Sequence, residues 1–235
     1  MKLPLLSLAL APLVASHFTL KYPASRGEDE EKMSQGPCGG LSLSSKRTQI
    51  SLDDGSFPLA LEMGHAETAL DVLLALGDDP GSNFNITLKS LFRVEGLGAF
   101  CVPSISFDES VVGVKLADGM NATVQVQSNG DPSGGLYACA DIQFSSKTTG
   151  DQPSSCKNNT GVTATPFTGS AAKLNANEST AEGQPQSGSD GHSHSHGGDS
   201  STTGPAATST GGAVPLETAA WGMLGAAVVG GLAIL

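Results

Sequence analysis

The chain has 235 residues, with 12 Lys and Arg against 23 Asp and Glu, which gives a formal net charge of −11 at pH 7. An acidic surface of this kind repels the phosphate backbone of nucleic acid and attracts cations. The composition therefore argues against a nucleic-acid partner and favours a cationic ligand.

The first residues have the pattern of a secretory signal. Lys2 is the only charge before an apolar run from Leu3 to Val14, and Val14 and Ser16 supply small side chains where signal peptidase reads them. We expect residues 1–16 to be removed, so that His17 becomes the N-terminus of the mature protein.

Residues 17–167 predict one domain built from β-strands. Apolar residues alternate with polar or small ones in four segments, at residues 84–90, 111–116, 122–127 and 137–144. Turn signals separate the segments, at residues 53–55, 78–81, 117–119 and 129–132. Residues 66–76 suit either a helix or a buried strand, and the turn signal that follows them favours a strand. Many short strands at this spacing predict a two-sheet β-sandwich.

The domain contains all four cysteines of the chain, Cys38, Cys101, Cys139 and Cys156. An even number of cysteines in an oxidising compartment predicts two disulfides, for which three connectivities are possible. Of these we favour Cys101–Cys139 with Cys38–Cys156, because Cys101 and Cys139 both lie in strand-like apolar runs.

Beyond the domain, residues 168–209 are rich in Ser, Thr, Gly, Ala and Pro and contain almost no large apolar side chains. Such a composition predicts a disordered stalk, with O-glycosylation where Ser and Thr accompany Pro. Four sequences match the N-glycosylation acceptor and are expected on the surface, at Asn85, Asn121, Asn158 and Asn177.

The C-terminal sequence has the order of a glycosylphosphatidylinositol (GPI) attachment signal. Small residues are followed by a polar spacer and by an uncharged apolar run of 17 residues, Ala219 to Leu235. We expect attachment at Ser209, with Gly211 or Gly212 as alternatives, and removal of residues 210–235. A transmembrane helix is the other interpretation. The run is at the short limit for a span, and no Lys or Arg follows Lys173 to mark a cytoplasmic flank.

The histidines point to a metal. Only His17 and His65 lie in the domain, and the other three form a run at residues 192–196, which is either an auxiliary metal-capturing segment or plain composition. An N-terminal histidine offers its α-amino group and its ring Nδ1 as a chelate, and His65 would add a third nitrogen. Cu(II) favours such tetragonal nitrogen sites, whereas Zn(II) prefers a tetrahedron.

Four sequences carry a resemblance to a known family: His17-Phe-Thr-Leu-Lys-Tyr-Pro-Ala-Ser-Arg-Gly, Pro37-Cys-Gly-Gly, Gly64-His65 and Tyr137-Ala-Cys-Ala-Asp-Ile. They resemble the fungal GPI-anchored copper acquisition factors, copper-binding proteins related in fold to lytic polysaccharide monooxygenases. The resemblance implies an immunoglobulin-like (fibronectin III-like) β-sandwich and a Cu(II) site made by His17, His65 and Asp141. A carboxylate in the coordination plane would stabilise Cu(II) over Cu(I) and would occupy a position that O₂ needs.

Three functions follow as hypotheses. The preferred one is a non-catalytic protein that captures or passes copper at the cell surface, held to the plasma membrane or cell wall by its GPI lipid, with a copper transporter as candidate partner. The second is a copper-dependent polysaccharide monooxygenase. It is disfavoured by the aspartate and by a domain with no tryptophan and only Tyr22 and Tyr137 to stack on a sugar. The third is a structural wall protein with an incidental metal site.

Overall fold

The structure is a computed structural model that describes residues 17–130 and 133–186. Several predicted features lie outside these residues: the secretory signal, the histidine run at residues 192–196, the attachment site at Ser209 and the apolar tail. Within the described residues, none of the helices has the length and apolar character needed to cross a membrane.

Nine strands form two sheets over the described residues: β1 Phe18–Tyr22, β2 Thr48–Ser51, β3 Ser56–Met63, β4 Glu67–Leu76, β5 Ile86–Glu95, β6 Gly98–Ser106, β7 Asn121–Asn129, β8 Gly135–Ser145 and β9 Thr163–Pro166. One sheet has the order β1-β3-β6, and the other has the order β2-β8-β7-β4-β5-β9. All pairs are antiparallel except β2 with β8. This architecture confirms the predicted all-β sandwich, and β4 confirms that residues 66–76 form a strand.

The core lies between the two sheets, where alternate side chains of each strand meet. Phe18 and Leu20 of β1 face it, as do the core residues of the central strands, such as Val124, Val126, Ile142 and Phe144. These positions follow the period of two that a pleated strand imposes on its side chains.

The prediction of a strand at residues 111–116 is wrong. Asp108 instead caps a short helix, α1 Glu109–Val112, by accepting hydrogen bonds from the backbone N–H groups of Ser110 and Val111 at 3.0 and 3.1 Å. Gly113 ends the helix with a φ of 79°. A side-chain cap and a C-terminal glycine are strong local helix signals, and here they outweigh the strand preference of the valines.

The two disulfides are Cys38–Cys139 and Cys101–Cys156, so the favoured pairing is wrong. Cys101 and Cys139 do both lie in strands, but β6 and β8 belong to different sheets. The neighbours of Cys139 in sequence, Ala138 and Ala140, face the inter-sheet core. Cys139 therefore points to the opposite side of its sheet, where the segment containing Cys38 covers it.

The segment after β9 also differs from the prediction. Residues 167–186, here called the C-terminal strap, pack on the outer face of the six-stranded sheet, although the sequence assigned most of them to a disordered stalk. Ala176 and Ser179 are fully buried. Ala176 packs in a small cluster with Ala69 and Leu91 of the sheet. Phe167 and Leu174 of the strap also pack against this cluster, and the N–H of Ala176 donates to Oδ2 of Asp71 at 3.1 Å.

Candidate metal centre

Pairing of β1 with β3 places the backbone of His17 opposite Gly64, the residue before His65. Phe18 is opposite Met63 in the register, and the N–H of Gly64 donates to the carbonyl oxygen of His17 at 2.9 Å. His65 is the next residue along the chain, and both histidines are half-buried. The two predicted nitrogen donors therefore lie at the same end of the three-stranded sheet.

Gly64 is required for this close approach of the two strands. A Cβ atom at Gly64 would lie 2.7 Å from the carbonyl oxygen of His17, which is closer than side-chain carbons come to other atoms. Any other residue would push the two histidine-bearing segments apart. The Gly64-His65 pair is thus a unit, in which the first residue brings the backbones together and the second supplies the imidazole.

A cavity of about 160 Å³ opens beside His17. Its inner wall is apolar and includes Phe18, Leu20, Met33 and Ala138, and its other side includes the acidic residues Glu28, Asp29, Glu30 and Glu62. Lys21 pairs with Glu28 at 3.2 Å and Lys32 pairs with Asp29 at 2.7 Å. Among the described residues neither Glu30 nor Glu62 has a basic partner within salt-bridge distance, so this side of the cavity keeps negative charge that attracts cations.

Asp141 is fully engaged with other groups. Its side chain is completely buried and forms a two-pronged ion pair with Arg26, whose Nε donates to Oδ2 at 3.0 Å and whose Nη2 donates to Oδ1 at 2.8 Å. The backbone N–H of Ser44 and the hydroxyl of Thr123 each add a bond of 2.7 Å. Burial opposes ionisation, but these donors outweigh it and hold the pKa of Asp141 below its usual value.

The arrangement gives Asp141 a structural role that the sequence did not indicate. Both of its oxygens accept hydrogen bonds, and it does not line the cavity beside His17. Among residues 17–130 and 133–186, no three His, Cys, Asp or Glu side chains are placed to hold a metal ion, so the implied set of His17, His65 and Asp141 is not assembled. Arg26 is the residue that sequence reasoning missed. It lies within the first motif, but nothing local pairs it with an aspartate 115 positions away.

Arg26 and Asp141 fix the wall of the cavity. The backbone N–H of Arg26 donates to the carbonyl of Cys139 at 2.8 Å, so the segment that begins at Gly27 runs out from the edge of β8. The following residues Gly27, Glu28 and Asp29 line the cavity. The buried ion pair therefore positions the acidic side of the cavity.

Tyr137 completes the cavity wall from β8. Burial raises the pKa of its phenol, so the hydroxyl stays protonated at neutral pH, and the side-chain Nδ2 of Asn177 in the C-terminal strap donates to it at 3.1 Å. The strap thereby contacts a residue of the cavity, a connection that the sequence did not predict.

The donors present fit a copper ion with nitrogen ligands. Two imidazoles on adjacent strand ends, together with the α-amino group that processing at His17 would expose, make three nitrogens, which suits Cu(II). In the part of the chain that the structure describes, no carboxylate is placed to join both histidines on a metal ion.

Comparison with known proteins gives the same chemistry. Residues 15–161 match the family described as copper acquisition factor BIM1-like. An uncharacterised protein of Aspergillus fumigatus is 66% identical over 99% of this chain and 98% of its own length. The lytic polysaccharide monooxygenase-like protein X325 of Yarrowia lipolytica is 32% identical over 67% of this chain and 61% of its own. For the copper acquisition factor BIM1 of Cryptococcus neoformans the identity is 31%, over 54% of this chain and 59% of its own. Because the family match covers the whole β-sandwich domain, the chain belongs to the copper acquisition factor BIM1-like family.

Proposed function

We propose that this protein binds one Cu(II) ion at the cell surface through His17 and His65, and that it captures or passes copper without oxidising a substrate. The observation that carries the proposal is the pairing of His17 with Gly64, which puts the two histidines of the described residues at the same end of the three-stranded sheet. The copper ion is cargo in this function, and a copper transporter is a candidate acceptor. Relatives in Cryptococcus neoformans are named copper acquisition factors, which supports the same role.

The surface of the domain supports a binding role over an enzymatic one. Among the described residues the large exposed apolar side chains are Leu43, Leu97 and Val114, and none of these is aromatic. Tyr22 and Tyr137 are each half-buried. A flat polysaccharide would find no exposed aromatic ring to stack on in this part of the chain.

Location at the cell surface belongs to the same proposal. The secretory signal, the two disulfides and the GPI signal fit an extracellular protein anchored by lipid, with N-linked glycans on acceptor asparagines other than Asn177. Treatment of cells with phosphatidylinositol-specific phospholipase C should release a protein that begins at His17. If only detergent releases the protein, and residues 219–235 are still attached, the protein has no GPI anchor.

Copper binding is tested with protein whose N-terminus is His17. A titration followed by electron paramagnetic resonance should show one Cu(II) in a tetragonal nitrogen environment. His65→Ala and a version with one extra residue before His17 should each weaken binding by at least about tenfold, because each removes a nitrogen donor. Equal affinity in all three proteins would refute the site.

The role of Asp141 is decided by the same spectra. Because Asp141 accepts from Arg26, Ser44 and Thr123, Asp141→Asn should leave the copper spectrum unchanged and should lower stability. A changed spectrum in a folded Asp141→Asn protein would instead place this carboxylate on the copper, as the family resemblance implies.

A polysaccharide monooxygenase is the second candidate function. Two observations favour it. Several relatives are named lytic polysaccharide monooxygenase-like proteins. The ion pair with Arg26 also engages Asp141, which would leave the coordination plane of the copper without that anionic donor. Consumption of peroxide with ascorbate, measured with and without cell-wall glucan, separates the two. Glucan cleavage by the copper-loaded protein that is lost in His65→Ala would make the enzyme the better description.

A further inference from the structure

Met33 shares the cavity wall with His17. The described residues contain three methionines, and Met33 is the one that lines this cavity. Met33 and Met63 both belong to the buried core, but Met63 lies opposite Phe18 in the strand register and does not line the cavity. The sulfur of Met120 accepts a hydrogen bond from the N–H of Ala117 at 3.1 Å.

The position of Met33 is fixed by the backbone around it. Its carbonyl oxygen accepts from the N–H of Tyr137 at 2.8 Å, which ties it to the edge of β8. Turns on either side of it are closed by hydrogen bonds from Lys32 to Asp29 and from Gln35 to Lys32. With only 8% of its surface exposed, Met33 is held against the cavity and does not extend into solvent.

The chemistry of this wall suits the reduced ion. Thioether sulfur is a soft, neutral donor that selects Cu(I), whereas imidazole nitrogen accepts both oxidation states. The apolar residues Phe18, Leu20 and Ala138 line the cavity beside Met33, together with the acidic residues described above.

We propose that the cavity is also a Cu(I) site, in which the thioether of Met33 joins the imidazole of His17 as a donor. The inference rests on the proposed function, because it uses the same histidine. The protein binds copper that is already Cu(I) in this proposal, and it does not itself reduce Cu(II).

Cu(I) binding is measured anaerobically, by competition with a Cu(I) chelator and without a thiol reductant, so that the disulfides stay intact. Met33→Leu keeps the volume of the side chain and should weaken Cu(I) binding by at least about tenfold, with Cu(II) affinity unchanged. Met63→Leu is the matched control, because it alters a buried methionine outside the cavity, and it should change neither affinity. Equal Cu(I) affinity in wild type and a folded Met33→Leu would overturn the proposal.

X-ray absorption of the Cu(I)-loaded wild-type protein gives a test that does not depend on any variant folding. A sulfur scatterer in the first coordination shell is expected, and a shell of nitrogen and oxygen alone would overturn the proposal. Cu(II) titration of the same wild-type protein distinguishes the two ideas. If the protein binds Cu(II) but shows no sulfur around Cu(I), the proposed function holds and Met33 is not a Cu(I) donor. If the protein does not bind Cu(II), the proposed function itself is refuted.

Discussion

Replacing Asp71 by asparagine should change how the stability of the protein depends on pH. Asp71 lies in β4 on the outer face of the six-stranded sheet and is only 2% exposed. Its Oδ2 accepts from the side chain of Gln127 at 2.9 Å and from the N–H of Ala176 in the C-terminal strap at 3.1 Å. Its Oδ1 has no donor among the described residues, and no basic group offsets the charge of Glu178 nearby.

The direction of the effect follows from the pKa of this carboxyl. Burial raises the pKa of Asp71 from 3.8 to about 7, because desolvation and the charge of Glu178 outweigh the hydrogen bonds from Gln127 and Ala176. Between those two values the folded protein holds a proton that the unfolded chain has released. The free energy of unfolding must therefore fall as the pH rises from about 4 to about 7. At 1.4 kcal/mol for each pH unit, the loss amounts to ~4 kcal/mol from this residue alone.

Urea unfolding at pH 4, 6 and 8 measures the effect, with the disulfides kept oxidised. Asp71→Asn keeps the shape of the side chain without its charge, so the difference in stability between the variant and wild type should shift towards the variant by several kcal/mol from pH 4 to pH 8. Asp108→Asn is the control, because hydrogen bonds from Ser110 lower the pKa of that exposed cap, and stability from Asp108 is lost as the pH falls. A difference between Asp71→Asn and wild type that is constant from pH 4 to 8 would refute the reasoning.

Three further predictions concern the site and its supports. Gly64→Ala should weaken copper binding by about tenfold or more with the sandwich still folded, because the new Cβ would lie 2.7 Å from the carbonyl oxygen of His17. Titration calorimetry measures the copper affinity and a thermal melt checks the fold; unchanged affinity would contradict the prediction. Arg26→Met should lower the free energy of unfolding by ~3–5 kcal/mol, since it leaves the buried Asp141 without its partner, and a loss below ~1 kcal/mol in urea would show that the pair is dispensable. Asn177 should carry no glycan when the strap is packed, because its Nδ2 donates to a tyrosine hydroxyl; peptide mass spectrometry of native protein tests this, and a glycan there would mean an unpacked strap.

The fold was predictable from the sequence where the pattern is local. Alternation along residues 122–127 and 137–144 gives the two central strands, and an aspartate-rich turn gives the end of β4. Periodicity does not reveal what covers the second face of a strand. Thr123, Gln125 and Gln127 look solvent-facing, yet all three are buried, because segments distant in sequence lie over them. For the same reason the sequence predicted neither the disulfide pairing nor the packing of residues 167–186 on the sheet.

The sequence could predict the nitrogen donors of the metal site because the domain contains only two histidines. One of them lies next to a signal cleavage site, so the two are the natural candidates for nitrogen donors. The structure pairs the backbone of His17 with Gly64, the residue before His65, and copper binding by the two histidines stays a prediction. Asp141 shows the limit of this reasoning. A carboxylate has many uses, and a buried arginine 115 residues away decides which one applies here.

Three positions on β8 hold residues 26–38, the segment that lines one side of the cavity. Along β8, the N–H of Tyr137 bonds to Met33, Cys139 is joined to Cys38, and Asp141 pairs with Arg26. Because these anchors alternate along the strand, they fasten the covering segment by a hydrogen bond, a covalent bond and an ion pair in turn. A wall ordered before the ion arrives loses little conformational entropy when it binds. Amide exchange in this segment should therefore be as slow in the copper-free protein as in the loaded one, and protection that appears only with copper would show that the wall is ordered by its cargo.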